Sequence, residues 1–152
     1  MPDETYRRDM DYSPASLYAG LIGAVLLVAG ILGFFYSASF GSPGEVDAVF
    51  GILDVNAWHN LVHILSGVVG LLAFASGPAA SRTYALVFGV VYIVVAIWGF
   101  IIGSHESILG FIPVNTEDNV LHAILGVLGV GAYAASEPRA EARATTTTRP
   151  AA

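Results

Sequence analysis

The sequence predicts an all-α protein, a polytopic membrane four-helix bundle built from two tandem transmembrane hairpins. Three observations predict it. Of 152 residues, 55% are hydrophobic and 12% are charged, about half the charge of an ordinary soluble domain. Four long apolar runs are nearly free of charge, as spans must be where no water reaches the side chains. A stretch from Asn56 to Gly70 then returns without gaps from Asn115 to Gly129. The length fits one domain.

Composition also excludes classes of function. There is no cysteine, so disulfides, thiolate metal sites and cysteine nucleophiles are out. All six basic residues are arginine, which removes Schiff-base lysine chemistry. A net charge of −6 with no basic patch does not suit nucleic acid.

Residues 1–14 form a polar tail, with Asp3, Glu4, Asp9 and Asp11 around Arg7 and Arg8. The tail is net acidic and lacks a small-residue cleavage site, so it is not read as a signal peptide. The four-helix domain covers 15–136. Its first span runs about 15–39, with Ser13 as N-cap and Pro14 in the first turn, where proline is tolerated. Gly20, Gly23, Gly30 and Gly33 share one side of it, which suits close helix packing in lipid.

Gly41-Ser-Pro-Gly44 reads as a turn. The apolar patch Val49 to Leu53 follows, suited to the membrane interface. Asn56 caps the second span, about 57–76, which Gly77-Pro78 ends. A tight connection to Ser81 leads to Arg82 and the third span, about 83–103. The third span echoes the first: Tyr84-Ala-Leu-Val-Phe-Gly89 matches Tyr18-Ala-Gly-Leu-Ile-Gly23. Asn115, with Asp118 three residues on, resembles a capping box and opens the fourth span, about 118–135. Residues 137–152, rich in Ala, Arg, Glu and Thr, should be a disordered tail.

The chain thus reads as an internal duplication. Two spans per repeat give both copies the same orientation, with a pseudo-twofold axis along the membrane normal. Arg7, Arg8, Arg82, Arg139, Arg143 and Arg149 all fall in the tails or the central connection. The positive-inside rule then puts both termini in the cytoplasm of a cytoplasmic (inner) membrane.

The repeated stretch carries the candidate site. On a helix of about 3.6 residues per turn, Asn56, His59, Asn60, His63, Gly67, Gly70 and Phe74 lie on one stripe. Asn115, Asp118, Asn119, His122, Gly126, Gly129 and Tyr133 lie on the equivalent stripe. His63 and His122 are seven residues past their capping asparagines, so about 10 Å into the helix. Histidine at that depth is a functional hypothesis by default.

Three readings are open. In the first, Asn56, Asn60, Asn115 and Asn119 are structural: Asn56 and Asn115 cap helices, Asn60 and Asn119 hydrogen-bond across the bundle together with His63 and His122, and the glycines are helix contacts. In the second, His63 and His122 are axial ligands of a b-type haem. Gly67 and Gly126 would then clear room for the macrocycle, and Phe74, Tyr92, Trp98 and Tyr133 would line it. In the third, His59, His63, His122 and Asp118 hold a metal ion or a proton on the outer side. His105 and Glu106 read as solvated loop residues. Ser66 has no acid–base partner nearby in sequence, and there is no triad or phosphate loop, so enzyme chemistry is not supported.

Arg82-Thr-Tyr-Ala-Leu-Val-Phe-Gly89-Val-Val-Tyr92, Gly99-Phe100, Asn119-Val-Leu-His122 with Gly126, and Asn60-Leu-Val-His63 with Gly67 together resemble a known family. This is the domain-of-unknown-function family numbered 4383, small four-span membrane proteins of prokaryotes, over roughly residues 15–135. The resemblance implies fold and location and no activity. The expectation is a non-enzymatic accessory or interaction subunit in a lipid bilayer, within a larger membrane complex or a homo-oligomer.

Overall fold

A computed structural model describes residues 12–40 and 46–136. The expected polar tail (1–11), the Gly41–Gly44 turn and the expected disordered tail (137–152) lie outside the described residues. Helix α1 runs Pro14–Gly33, α2 Ala57–Ser76, α3 Pro78–Ile102 and α4 Thr116–Ala134. Strands β1 (Asp47–Val49) and β2 (Leu53–Val55) sit between α1 and α2, and β3 (Glu106–Ile108) and β4 (Ile112–Val114) between α3 and α4.

The molecule is therefore mostly helical but not all-α. Each pair of strands forms an antiparallel hairpin. Asp47 pairs with Val55, Ala48 with Asp54 and Val49 with Leu53. Glu106 pairs with Val114, Ser107 with Pro113 and Ile108 with Ile112. The turns place Phe50 and Gly51, then Leu109 and Gly110, at positive φ. That backbone matches strand twist, and it is usually signalled by Asn-Gly or Asp-Gly. Phe-Gly and Leu-Gly hide the signal, and three-residue strands are too short to show alternation. Phe50 and Ile52 are exposed at one hairpin tip and Leu109 at the other.

Two boundaries also differ from the sequence reading. Helix α1 stops at Gly33 and the chain turns through Phe34–Tyr36, well before residue 39. Helix α3 begins at Pro78, so Gly77 alone joins α2 to α3. Gly77 takes a φ of 102°, which a side chain would resist. Pro78 then fits the first helical position, where its missing N–H costs nothing. Residues 78–81 are the first turn of a helix rather than a connection.

Among the described residues, α1, α2 and α3 are long and apolar enough to cross a membrane. Helix α4 has similar length, but Glu117, Asp118 and Asn119 occupy its first turn. The surface of the bundle is apolar: Leu21, Val25, Val28, Leu72, Ile101 and Val127 are all exposed. The interior holds polar side chains, with His59, Asn60, Asn119 and Ser81 fully buried. This inside-out arrangement suits lipid rather than water.

Glycines set the helix spacing. A Cβ on Gly23 would lie 2.9 Å from the Leu71 amide nitrogen, and one on Gly67 would strike the Leu27 backbone of α1. In α3 and α4, a Cβ on Gly89 would lie 2.7 Å from the Val130 nitrogen, and one on Gly126 would lie 2.6 Å from Ile93 Cγ1. Gly33 and Gly99 leave room for the side chains of Asn60 and Asn119.

The two ends of the bundle differ. At one end the Ala15 amide donates to Ser136 Oγ at 2.9 Å, and the Arg82 guanidinium covers the Tyr133 ring at 4.1 Å. The other end carries both hairpins. There Asn56 Nδ2 donates to the Phe111 carbonyl at 2.7 Å, and Asn115 Nδ2 donates to the Ile52 carbonyl at 2.6 Å. Each capping asparagine thus holds the turn of the other hairpin.

Candidate functional site

Directly beneath the hairpins, His59, His63 and His122 converge. One ring nitrogen from each can be chosen so that all three lie within 4.8 Å of one another. His59 Nε2 and His63 Nε2 are 3.2 Å apart. Their positions follow from local folding. Asn56 Oδ1 accepts the His59 amide at 2.9 Å, which starts α2 at Ala57. The i, i+4 spacing then stacks His59 and His63 on one face. Asn115 sets the phase of α4 in the same way, so that His122 faces them.

The three rings border a cavity of ≈90 Å³ between α2 and α3. On α2 its walls are His59, Val62, His63 and Ser66; on α3 they are Phe88, Val91, Tyr92 and Val95. The Tyr92 ring centroid is 5.3 Å from that of His122. Ile108, Ile112 and Val114 of the second hairpin close the end. His122 Nδ1 is buried without a hydrogen-bond partner, while the His59 ring lies near the backbone carbonyls of Asp54 and Pro113. An unpaired imidazole nitrogen in an apolar interior is costly unless something binds it.

The room for a macrocycle expected at Gly67 and Gly126 is filled by neighbouring helices: backbone and side chains of α1 and α3 occupy those grooves. Pockets for drug-sized molecules measure about 300–1,000 Å³, several times this cavity. Of the four aromatic residues named for haem, Tyr92 lines the cavity. Phe74 packs on Gly20 and Tyr133 lies under Arg82, both toward the opposite end. Trp98 is not part of the lining.

Asp118 also departs from its expected role as a metal ligand. Its Oδ2 accepts the Asn115 amide at 3.3 Å and the Asp54 amide at 3.1 Å. It completes a capping box and ties α4 to the first hairpin, and it is not one of the three converging residues. Asn56 and Asn115 cap helices as expected. Asn60 instead sends Nδ2 to the Ser37 carbonyl at 2.9 Å, and Asn119 packs against Gly99. His105, read as a solvated loop residue, has an exposed ring, yet its Nδ1 lies 2.9 Å from Asp54 Oδ2.

The cavity walls were missed in the sequence. Their spacing was visible: 59, 62, 63, 66 on α2 and 88, 91, 92, 95 on α3 follow the same i, i+3, i+4, i+7 pattern. That pattern marks a packed helix face just as well, so nothing distinguished a gap from a contact. No curated protein and no solved structure matches the chain. Residues 16–135, which contain all four helices apart from the first two residues of α1, match a family model described as a domain of unknown function, and the chain belongs to that family, DUF4383.

Proposed function

We propose that this protein is a four-span, non-enzymatic membrane subunit that holds a transition-metal ion on His59, His63 and His122. The observation that carries the reading is the convergence of three imidazoles within 4.8 Å beside a cavity that all three line. Tetrahedral zinc with Zn–N near 2.0–2.1 Å sets its ligand nitrogens about 3.3 Å apart. The 3.2 Å separation of His59 and His63 already matches, and the His122 nitrogen lies within 4.8 Å of both. Imidazole-only donors favour Zn²⁺ or copper over Mg²⁺ or Ca²⁺.

The wider architecture supports the same picture. Contacts recur at matching positions: Tyr84 Oη donates to the Ser66 carbonyl, and Tyr18 Oη donates to the Leu125 carbonyl. These equivalences support a duplicated hairpin with α4 as the fourth span. Arg82 sits at the end where Ala15 meets Ser136, which supports both termini being cytoplasmic and the histidines lying toward the outer side. The chain has no cysteine, so single cysteines placed at the exposed Ser104 and Ser76 can report sidedness by labelling. Ser104 should label from outside and Ser76 from inside. The apolar outer faces would meet lipid, a partner subunit or a second copy.

Metal analysis of the purified protein tests the site. We expect about one zinc or copper per chain, lost in His59→Ala, His63→Ala and His122→Ala, and released by acid as protons compete for the imidazoles. A folded protein that takes up neither metal when offered both would sink this reading. A second reading rests on the same 3.2 Å contact: His59 and His63 share a proton as a structural hydrogen bond. In that case the substitutions lower stability and metal changes nothing. A visible spectrum of the sample tests haem b, whose Soret band would overturn the ion site.

A further inference from the structure

Resting on the metal reading, we infer that the ion keeps an open coordination position facing a side slot between α2 and α3, and that this slot admits a small uncharged ligand from the lipid side. Three side chains converge on the site among the described residues. Three protein donors with one exchangeable position is the pattern of reactive rather than structural zinc and copper sites. Beside them lies a cavity of ≈90 Å³, whereas about 10–15 Å³ of such space already holds a water. The cavity is therefore larger than an ion needs and fits one ligand of a few atoms.

Its walls decide the ligand's chemistry. Val62, Phe88, Val91 and Val95 are apolar, and Ser66 and Tyr92 add hydroxyls. No charged side chain lines it, so an ionic ligand would meet no partner beyond the metal. The route follows from burial. Toward the water-facing end the slot is roofed by Ile108 and Val114, which are 5% and 0% exposed. Sideways, its rim is Val62 and Val91, which are 41% and 48% exposed on the apolar surface. A molecule that dissolves in the bilayer reaches the rim directly. A hydrated ion would have to lift a hairpin. The class that fits is the small uncharged donor: carbon monoxide, dioxygen or nitric oxide.

Carbon monoxide on reduced copper is a suitable probe, because it forms one dative bond and transfers no electron. Copper also binds nitrogen sites at least as tightly as zinc, so a true site will load with it. Protein from copper-supplemented cells is reduced, exposed to carbon monoxide and read by infrared spectroscopy. The expected result is a single C–O stretch distinct from free gas. Val91→Phe and Val62→Phe should slow carbon monoxide rebinding after photolysis by about tenfold or more, which is about 1.4 kcal/mol in the barrier to entry, with copper content unchanged. Val69→Phe, exposed but outside the lining, should change neither. One copper per chain with no C–O band overturns the open position and leaves the metal reading intact. A band whose rebinding is indifferent to both rim substitutions overturns the lateral route. A folded protein that takes up neither copper nor zinc overturns the metal reading and this inference together.

Discussion

Residues 56–63 and 115–122 begin at the same kind of cap and end at equivalent histidines, yet they do different work. Asn56 Oδ1 receives the amide of His59, and Asn115 Oδ1 receives that of Asp118, both at 2.9 Å. From there the halves part. His59 turns its ring to the cavity, 3.2 Å from His63. Asp118 turns back and binds the amides of Asn115 and Asp54. The facing helices differ as well. The first half has Ile22, Val25 and Leu26 where the second has Phe88, Val91 and Tyr92. A cavity opens beside His59 and His63, lined by the second of these sets. The comparison teaches that glycines and capping asparagines recur as a frame, and that a few side chains on it decide that the cavity opens between α2 and α3.

Overpacking tests the shared frame most severely. Gly67→Leu and Gly126→Leu each drive a side chain into a neighbouring helix, and each should cost about 3 kcal/mol. Thermal unfolding in detergent should show similar losses for the two, and a large inequality would break the equivalence. Next comes the position where the halves diverge. Asp118→Ala strands two amides and should cost about 2 kcal/mol without changing metal affinity. His59→Ala should do the reverse, with a small stability loss and at least about a 100-fold drop in metal affinity. Parallel melting and metal titration of the two variants would show whether fold and site separate this way. If both variants shift both readouts, the division of labour is wrong.

The caps come third. Asn56→Ala and Asn115→Ala each remove a cap and a bond to the opposite hairpin, and should cost about 1–2 kcal/mol apiece. The double variant should lose about the sum if the two bonds act independently. The turns give the smallest effect. Phe50 and Leu109 hold φ near 54° and 55°, a region that asparagine adopts more readily. Phe50→Asn and Leu109→Asn should each raise stability by about 0.5 kcal/mol, seen as a small upward shift in Tm. A loss at one turn and a gain at the other would show that Phe50 or Leu109 holds its hairpin through packing.

Much of the frame was legible in the sequence because it is local. Apolar run length predicts helices, Asn-x-x-His within a repeated stretch predicts matching caps and depths, and glycines at helical spacing predict close approach. Family membership could be read from the same residues. The hairpins could not, because Phe-Gly and Leu-Gly are poor turn signals and three-residue strands leave no period. Local patterns also overstated some elements. They carried α1 past Gly33, and they cast Pro78–Ser81 as a connection when proline was opening a helix.

The site divided along the same line. Histidines at 59, 63 and 122 were visible as ionisable groups in apolar helices. Linear order could not tell that three rings meet while Asp118 leaves them for the Asp54 amide. Nor could it tell that α1 and α3 fill the grooves at Gly67 and Gly126, closing the space assigned to haem. Local propensity and hydrophobic period depend on neighbours along the chain, and these settled the helices, the Asn56 and Asn115 caps and the apolar lengths that suit a membrane. Convergence, cavity volume and the choice between ligand and cap depend on which helix lies opposite, and that was decided when the four helices packed.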